Sequence, residues 1–181
     1  MMKSEWENPN DLRRRKPVLW LTMTALFMAM VVVLSMSALS IPVPGGHLYF
    51  NDVVIDTAAM LMDPLSAAIA GGVGAFLGDM LFYPAPMFVS LVTHGLQAFV
   101  ISLLCRKLRM KQSAACAIAV LAGAVIMVVG YTLGRAFVYS TPEYAIMKLP
   151  FQCLQAGVGA VVSWILCCPL GLSRRFRSIV K

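Results

Sequence analysis

Asp52, Asp56, Asp79, His94 and Arg135 lie within or beside long apolar runs, and Glu143 and Lys148 follow in a short polar loop. An ionisable group at membrane depth is costly, so each one requires a partner or a cavity. Arg135 stands one helical turn after Tyr131 and one turn before Tyr139, which puts all three on a single helix face. Its guanidinium calls for an anion. Asp79, Asp52, Asp56 and a bound ligand all fit that role, so a structural ion pair and a ligand contact both stay open. His94 and Gln97 are three residues apart, and Gln152 and Gln155 repeat that spacing just after Pro150. Buried amides need partners. A lone histidine in a span more often bonds a neighbouring helix than binds a ligand or proton. Two such pairs plus Tyr131 and Arg135 nevertheless exceed what helix-to-helix bonding requires.

The chemistry the chain lacks is equally informative. There is no GxxxxGK[ST] phosphate loop, no HExxH and no metal-type Cys/His spacing, and His47 and His94 stand far apart. No GxSxG occurs, although a membrane serine site can lack that motif. The glycines of GGVGAFLGD sit in an apolar helix, where they form a packing face. The five cysteines, Cys105, Cys116, Cys153, Cys167 and Cys168, are odd in number and show no CxxC spacing; they read as small apolar packing residues. The expectation is therefore no catalytic residue, no metal, no cofactor and no enzyme.

The elements that must position these side chains are spans. Hydrophobic residues make up 60% of the 181 and charged residues only 13%, far from the balance of a soluble domain. Six crossings are expected: Val18–Leu39, a short second one over about 50–62, a third from Leu65 to about Phe82, Met87–Cys105, Ser113–Tyr139, and a sixth from about Ala145 to Leu170. Asp63-Pro64 marks the turn after the second. Thirteen of the 15 Lys and Arg fall in three clusters, around Arg13–Lys16 with Lys3, over Arg106–Lys111, and over Arg174–Lys181. That distribution is the positive-inside pattern, so the chain reads as an all-α integral membrane protein with both termini cytoplasmic. It also argues against nucleic acid as the partner of the +7 net charge. Residues 1–17 are expected to be a cytoplasmic basic tail, 18–172 the membrane domain and 173–181 a second basic tail.

Small residues recur at four-residue spacing. Ala67, Gly71, Ala75 and Asp79 share one face of the third span, Ala70, Gly74 and Gly78 share its neighbour, and Gly130 and Gly134 repeat the pattern in the fifth. Close helix packing is the plain reading of each. Ala25 and Ala29 on the first span fit internal packing and a partner helix equally. The outer loop, about 40–51, carries SIPVPGGHLYFN, a polar and irregular stretch between two apolar runs. At membrane depth such backbone is tolerated where it is buried in protein or lines a cavity.

The run HLYFNDVVIDTAAMLMDPLSAAIAGGVGAFLGDML, followed by GYTLGRAFVY and PFQCLQAGVGA, resembles the S components of energy-coupling factor (ECF) transporters, in their riboflavin- and hydroxymethylpyrimidine-type branch. The resemblance covers about residues 18–170. It implies a six-helix subunit of a bacterial plasma membrane that binds a vitamin or cofactor precursor near the outer face. It also implies docking on a transmembrane coupling protein and two ATP-binding subunits, with Ala25 and Ala29 matching the docking face. Under it, the loop closes over the ligand, Tyr49 or Phe50 stacks on a heterocycle, and Asn51, Gln152 and Gln155 supply hydrogen bonds. Arg135 meets a carboxylate, phosphate or electron-rich edge, and Asp52, Asp79, His94, Gln97 and Tyr131 complete the expected binding set. The chain departs from this branch at Arg135, where an acid is common, at His94 and Gln97, where a lysine and a glutamate are common, and at Gln152, where an asparagine is expected. These departures leave the vitamin open. A stand-alone ion-coupled transporter with Asp79, His94 and Arg135 as a relay is the alternative, weakened by the lack of a clear inverted repeat.

Overall fold

The structure, a computed structural model, describes residues 10–36, 40–44 and 46–180. Most of the expected N-terminal tail, with Lys3, the last three residues of the expected first span, and Lys181 lie outside the described residues. Helices dominate: α1 (Asn10–Arg15), α2 (Pro17–Leu34), α3 (Asn51–Leu61), α4 (Pro64–Ala68), α5 (Gly74–Phe82), α6 (Met87–Lys107), α7 (Gln112–Gly134), α8 (Pro142–Cys167) and α9 (Leu172–Val180). A π-helical turn, Ile69–Val73, joins α4 and α5 into one rod, and another, Arg135–Tyr139, extends α7. Two strands, β1 (Ile41–Val43) and β2 (Gly46–Leu48), form an antiparallel hairpin with Ile41 opposite Leu48.

The polarity of the bundle is inverted relative to a soluble protein. Leu21, Leu81, Val92, Leu121, Val125 and Ile146 point outward, whereas Ser66, Ser90, His94, Gln97, Ser102 and Ser163 are buried. Lipid tails solvate the apolar exterior, and polar groups turn inward to find partners. Five helical stretches, Pro17–Leu34, Pro64–Phe82, Met87–Lys107, Gln112–Tyr139 and Pro142–Cys167, are long and apolar enough to cross a membrane.

The expected second span is different in kind. α3 has 11 residues, roughly 16 Å at ~1.5 Å per residue, about half of a ~30 Å hydrocarbon layer. It is enclosed by α2, α6 and α8, with Ile55, Ala58 and Ala59 wholly buried. Because protein surrounds it, its length need not match the bilayer, and irregular backbone at both ends is tolerated. The Met62 carbonyl at its exit accepts hydrogen bonds from Ser102 and Arg106. Asp63 then caps α4, accepting from the Leu65 and Ser66 amides at 3.2 Å and from the Trp20 indole at 2.6 Å, with Pro64 in the first turn as expected of a helix start.

The small-residue faces work as packing surfaces. Gly71 and Gly72 abut α6, whereas Gly74 and Gly78 abut Val31 and Ser35 at the end of α2. A Cβ on Gly72 would stand 2.8 Å from the Leu91 carbonyl oxygen and 3.0 Å from Gly95 Cα, both backbone atoms that cannot rotate away. Ala25 and Ala29, by contrast, lie exposed on α2, so within the described residues they pack against nothing inside the bundle.

Gly72→Val should therefore force α4–α5 from α6 and cost about 1–3 kcal/mol, as overpacking does. Gly157 on α8 has open space around it, and Gly157→Ala should gain about 0.5–1 kcal/mol. Unfolding in detergent measures both, and equal effects at the two positions would contradict this packing.

Candidate functional site

Asp52, in the first turn of α3, is buried and accepts two amide donors from different helices: Gln97 of α6 at 3.3 Å and Gln155 of α8 at 2.6 Å. The Gln97 nitrogen also donates to Asp56 at 2.9 Å, so its two hydrogens serve two carboxylates. The Gln97 oxygen then faces His94 Nδ1 at 2.8 Å. That oxygen can only accept, so Nδ1 carries the hydrogen that joins them. Asp52 is 3.8 Å from the same Nδ1, too far for a hydrogen bond. On the other side, the Gln155 oxygen accepts from the Tyr49 backbone amide at 3.1 Å. One polar chain thus runs from the residue after the hairpin through α8 and α3 to α6.

Against this chain lies a cavity of about 240 Å³, at the end of the bundle that carries the hairpin. His47 and Tyr49, Asn51 at the start of α3, Asp79 of α5 and His94 of α6 contribute to its walls. α7, its π-helical turn and α8 add Tyr131, Arg135, Tyr139, Lys148, Gln152 and Gln155, and the α5–α6 connection adds Tyr83 and Pro86. Asp79 accepts from the Ser90 hydroxyl, which also bonds Tyr131. The Tyr131 ring stands 5.2 Å from that of His94, inclined at 59°. Burial first, and the Asp79 charge second, raise the Tyr49 phenol above its ordinary 10.0, so it meets the cavity as a neutral hydrogen-bonding group.

Two buried polar atoms on the walls have no hydrogen-bond partner among the described residues: Asn51 Oδ1 and the Tyr139 hydroxyl. Orphans of this kind are rare in folded proteins. Arg135 is 9% exposed and donates to the Gln152 oxygen at 2.9 Å, with its guanidinium 5.7 Å from the Tyr139 ring centre. Gln152 is held for that role by donating to the Met127 and Val128 carbonyls. The π-helical turn that begins at Arg135 interrupts the regular ladder where the cavity is lined, a common setting for such turns.

Of the ten residues expected from the sequence to bind substrate, eight line the cavity. Asp52 and Gln97 stand behind them in the polar chain instead. Tyr49 faces the cavity, whereas Phe50 is exposed and does not line it. The proposed acidic partners of Arg135 are all bonded elsewhere, and among the described residues it forms no ion pair. Lys148, read from sequence as a loop residue, lies inside α8 and is 4% exposed, with its ammonium 2.8 Å from the His47 carbonyl. The signal was its position after Pro142, a first-turn residue that starts the helix early.

The sequence model of the family described as ECF-type riboflavin transporter, S component, matches residues 17–171. An uncharacterized protein in the gap 3′ region of Pyrococcus woesei is 28% identical over 134 residues, an alignment that spans 74% of this chain and 88% of that relative.

Gln97→Leu strips both carboxylates of a donor and should cost on the order of 3 kcal/mol, because a buried acceptor left bare forfeits its solvation. Chemical denaturation in micelles provides the reading. A loss below about 1 kcal/mol would show that Asp52 and Asp56 do not rely on Gln97.

Proposed function

The chain belongs to the S components of ECF-type riboflavin transporters, and from that premise we propose that it binds a vitamin or cofactor precursor in the cavity beneath the hairpin and delivers it to an ATP-driven module. The observation that carries this reading is the pair of buried, unbonded polar atoms, Asn51 Oδ1 and the Tyr139 hydroxyl, on the walls of one cavity. A protein leaves such atoms unpaired at a cost that a ligand's complementary groups would remove. Tyr49, Tyr131 and His94 add ring faces, the usual composition of a small-molecule site.

In this reading the hairpin is the lid. Two hydrogen bonds tether it and its following residue to α8, one from Lys148 to His47 and one from Tyr49 to Gln155. The three basic clusters favour a cytoplasmic side at the opposite end of the bundle, and in this reading the cavity opens outward across a bacterial plasma membrane, with α3 as an enclosed crossing beside the five long ones. On the same reading the chain, whose sequence carries no phosphate loop, draws its energy from ATP-binding subunits reached through a transmembrane coupling protein. The exposed Ala25 and Ala29 on α2 offer a helix of that protein a close approach.

Asn51→Ala should weaken the copurifying ligand by about tenfold or more, equivalent to losing one good hydrogen bond, while leaving the melting temperature unchanged or higher. A stability loss without an affinity loss would place Asn51 outside the site. Ala25→Leu with Ala29→Leu should abolish copurification with the ATP-binding subunits and spare ligand binding; retained copurification would move the docking face elsewhere. Reconstituted without its partners, the chain should move no substrate. Proton-driven uptake by the chain alone would favour an ion-coupled carrier.

A further inference from the structure

We infer that the ligand carries an anionic group, a carboxylate or a phosphate ester, held between Arg135 and Lys148. The inference rests on the cavity being the substrate site. Both side chains line that cavity and both are more than nine-tenths buried. Neither forms an ion pair among the described residues: Arg135 donates to an amide oxygen and Lys148 to a backbone carbonyl. Each is therefore a desolvated cation whose bonds go to neutral acceptors, an arrangement that is costly unless an anion joins it.

The nearby acids do not supply that anion. Asp79 accepts from Ser90, Asp52 from Gln97 and Gln155, and Asp56 from Gln97. These acids sit on α3 and α5, whereas the cations sit on the α7 extension and α8. Of the three acids only Asp79 lines the cavity, on a different element from the two cations, and acid and cations alike are bonded to neutral groups. A ligand with an acidic group at the Arg135 wall completes the cation side, and its hydrogen-bond donors can meet Asp79 across the cavity. The guanidinium fork suits two oxygens of one carboxylate or phosphate, and the ammonium adds a point charge. The second cation also links ligand and lid, since Lys148 is the residue that bonds the His47 carbonyl of β2.

The test begins with purified full-length protein, denatured to release whatever small molecule it carries, followed by mass spectrometry in both ion modes. The expected result is a carboxylate or phosphate ester, absent from Arg135→Gln and reduced in Lys148→Met, both variants keeping the wild-type melting profile. A neutral or cationic molecule would overturn the anion assignment and leave the binding site standing. If nothing is released, riboflavin and riboflavin 5′-phosphate, which differ by one phosphate, are titrated against the protein. The phosphorylated form should bind about tenfold tighter or more, a difference of about 1.4 kcal/mol, and Arg135→Gln should erase most of that difference. Equal or tighter binding of riboflavin would overturn the anion assignment alone. No released molecule and no binding of either flavin would overturn both the assignment and the site it rests on. Should Arg135→Gln fail to fold, Lys148→Met carries the same comparison.

Discussion

The carboxylate of Asp52 is the joint on which the bundle turns. It is buried in the first turn of a helix too short to span a bilayer by itself, and donors from α6 and α8 meet it there. A charged or polar group in a low-dielectric interior demands such partners. Meeting that demand fixes where α3 sits, how deep it sits and how it is rotated. Gly159 of α8 makes this possible: a Cβ there would stand 2.6 Å from Asp52 Cβ, so only a bare backbone lets the two helices close. From that joint Gln97 reaches Asp56 and His94, and Gln155 reaches Tyr49 at the edge of the hairpin. The far wall of the cavity and its cover are thus set by the same short run of hydrogen bonds.

The polar residues of the interior divide by whether the protein itself satisfies them. Asp52, Asp56, Gln97, Gln155 and Gln152 have partners of good geometry and hold helices in register. Asn51 and Tyr139 present atoms with none, and Arg135 and Lys148 present charge without a counter-charge among the described residues. This second group lines the cavity and comes from three separate elements. Low dielectric raises the worth of a satisfied polar contact and the cost of an unsatisfied one alike, so the same physics that rigidifies the scaffold leaves the cavity poised for a complementary ligand. The hairpin, the lid of the proposed function, is held more lightly, by a mostly exposed first strand and two tethers to α8.

Much of this was legible in the order of residues. Apolar runs and basic clusters locate the long helices to within a few residues. The fifth expected span, Ser113–Tyr139, differs by one residue from the observed Gln112–Tyr139. The four-residue spacings of Ala67, Gly71 and Ala75 and of Ala70, Gly74 and Gly78 read correctly as packing, and the face shared by Tyr131, Arg135 and Tyr139 does line one cavity. Other features had weaker signals. The hairpin lies in a proline- and glycine-rich stretch too short and irregular for clear alternation. The C-terminal basic tail folds as α9, with Leu172 and Phe176 against the core, although its four charges suggested a solvated end. Lys148 looked like a loop cation because the polar run STPEY dominates its neighbourhood, and Pro142, the residue type that opens a helix, was the one local signal that α8 starts earlier.

What the sequence alone determined was class: a helical membrane protein, its long helices and the side chains able to do binding chemistry. Those follow from composition and local periodicity, which are properties of neighbours along the chain. Only the tertiary structure decided which polar group answers which. Asp52, Asp56 and Asp79 were each possible partners for Arg135, and the fold assigns all three to other donors. It also turns Ala25 and Ala29 outward and places Gln97 behind the cavity, where sequence spacing had put it in the site. Partner choice depends on distances between separate helices, up to the 103 residues that separate Gln155 from Asp52 across a 2.6 Å bond, and no pattern within one helix encodes that distance.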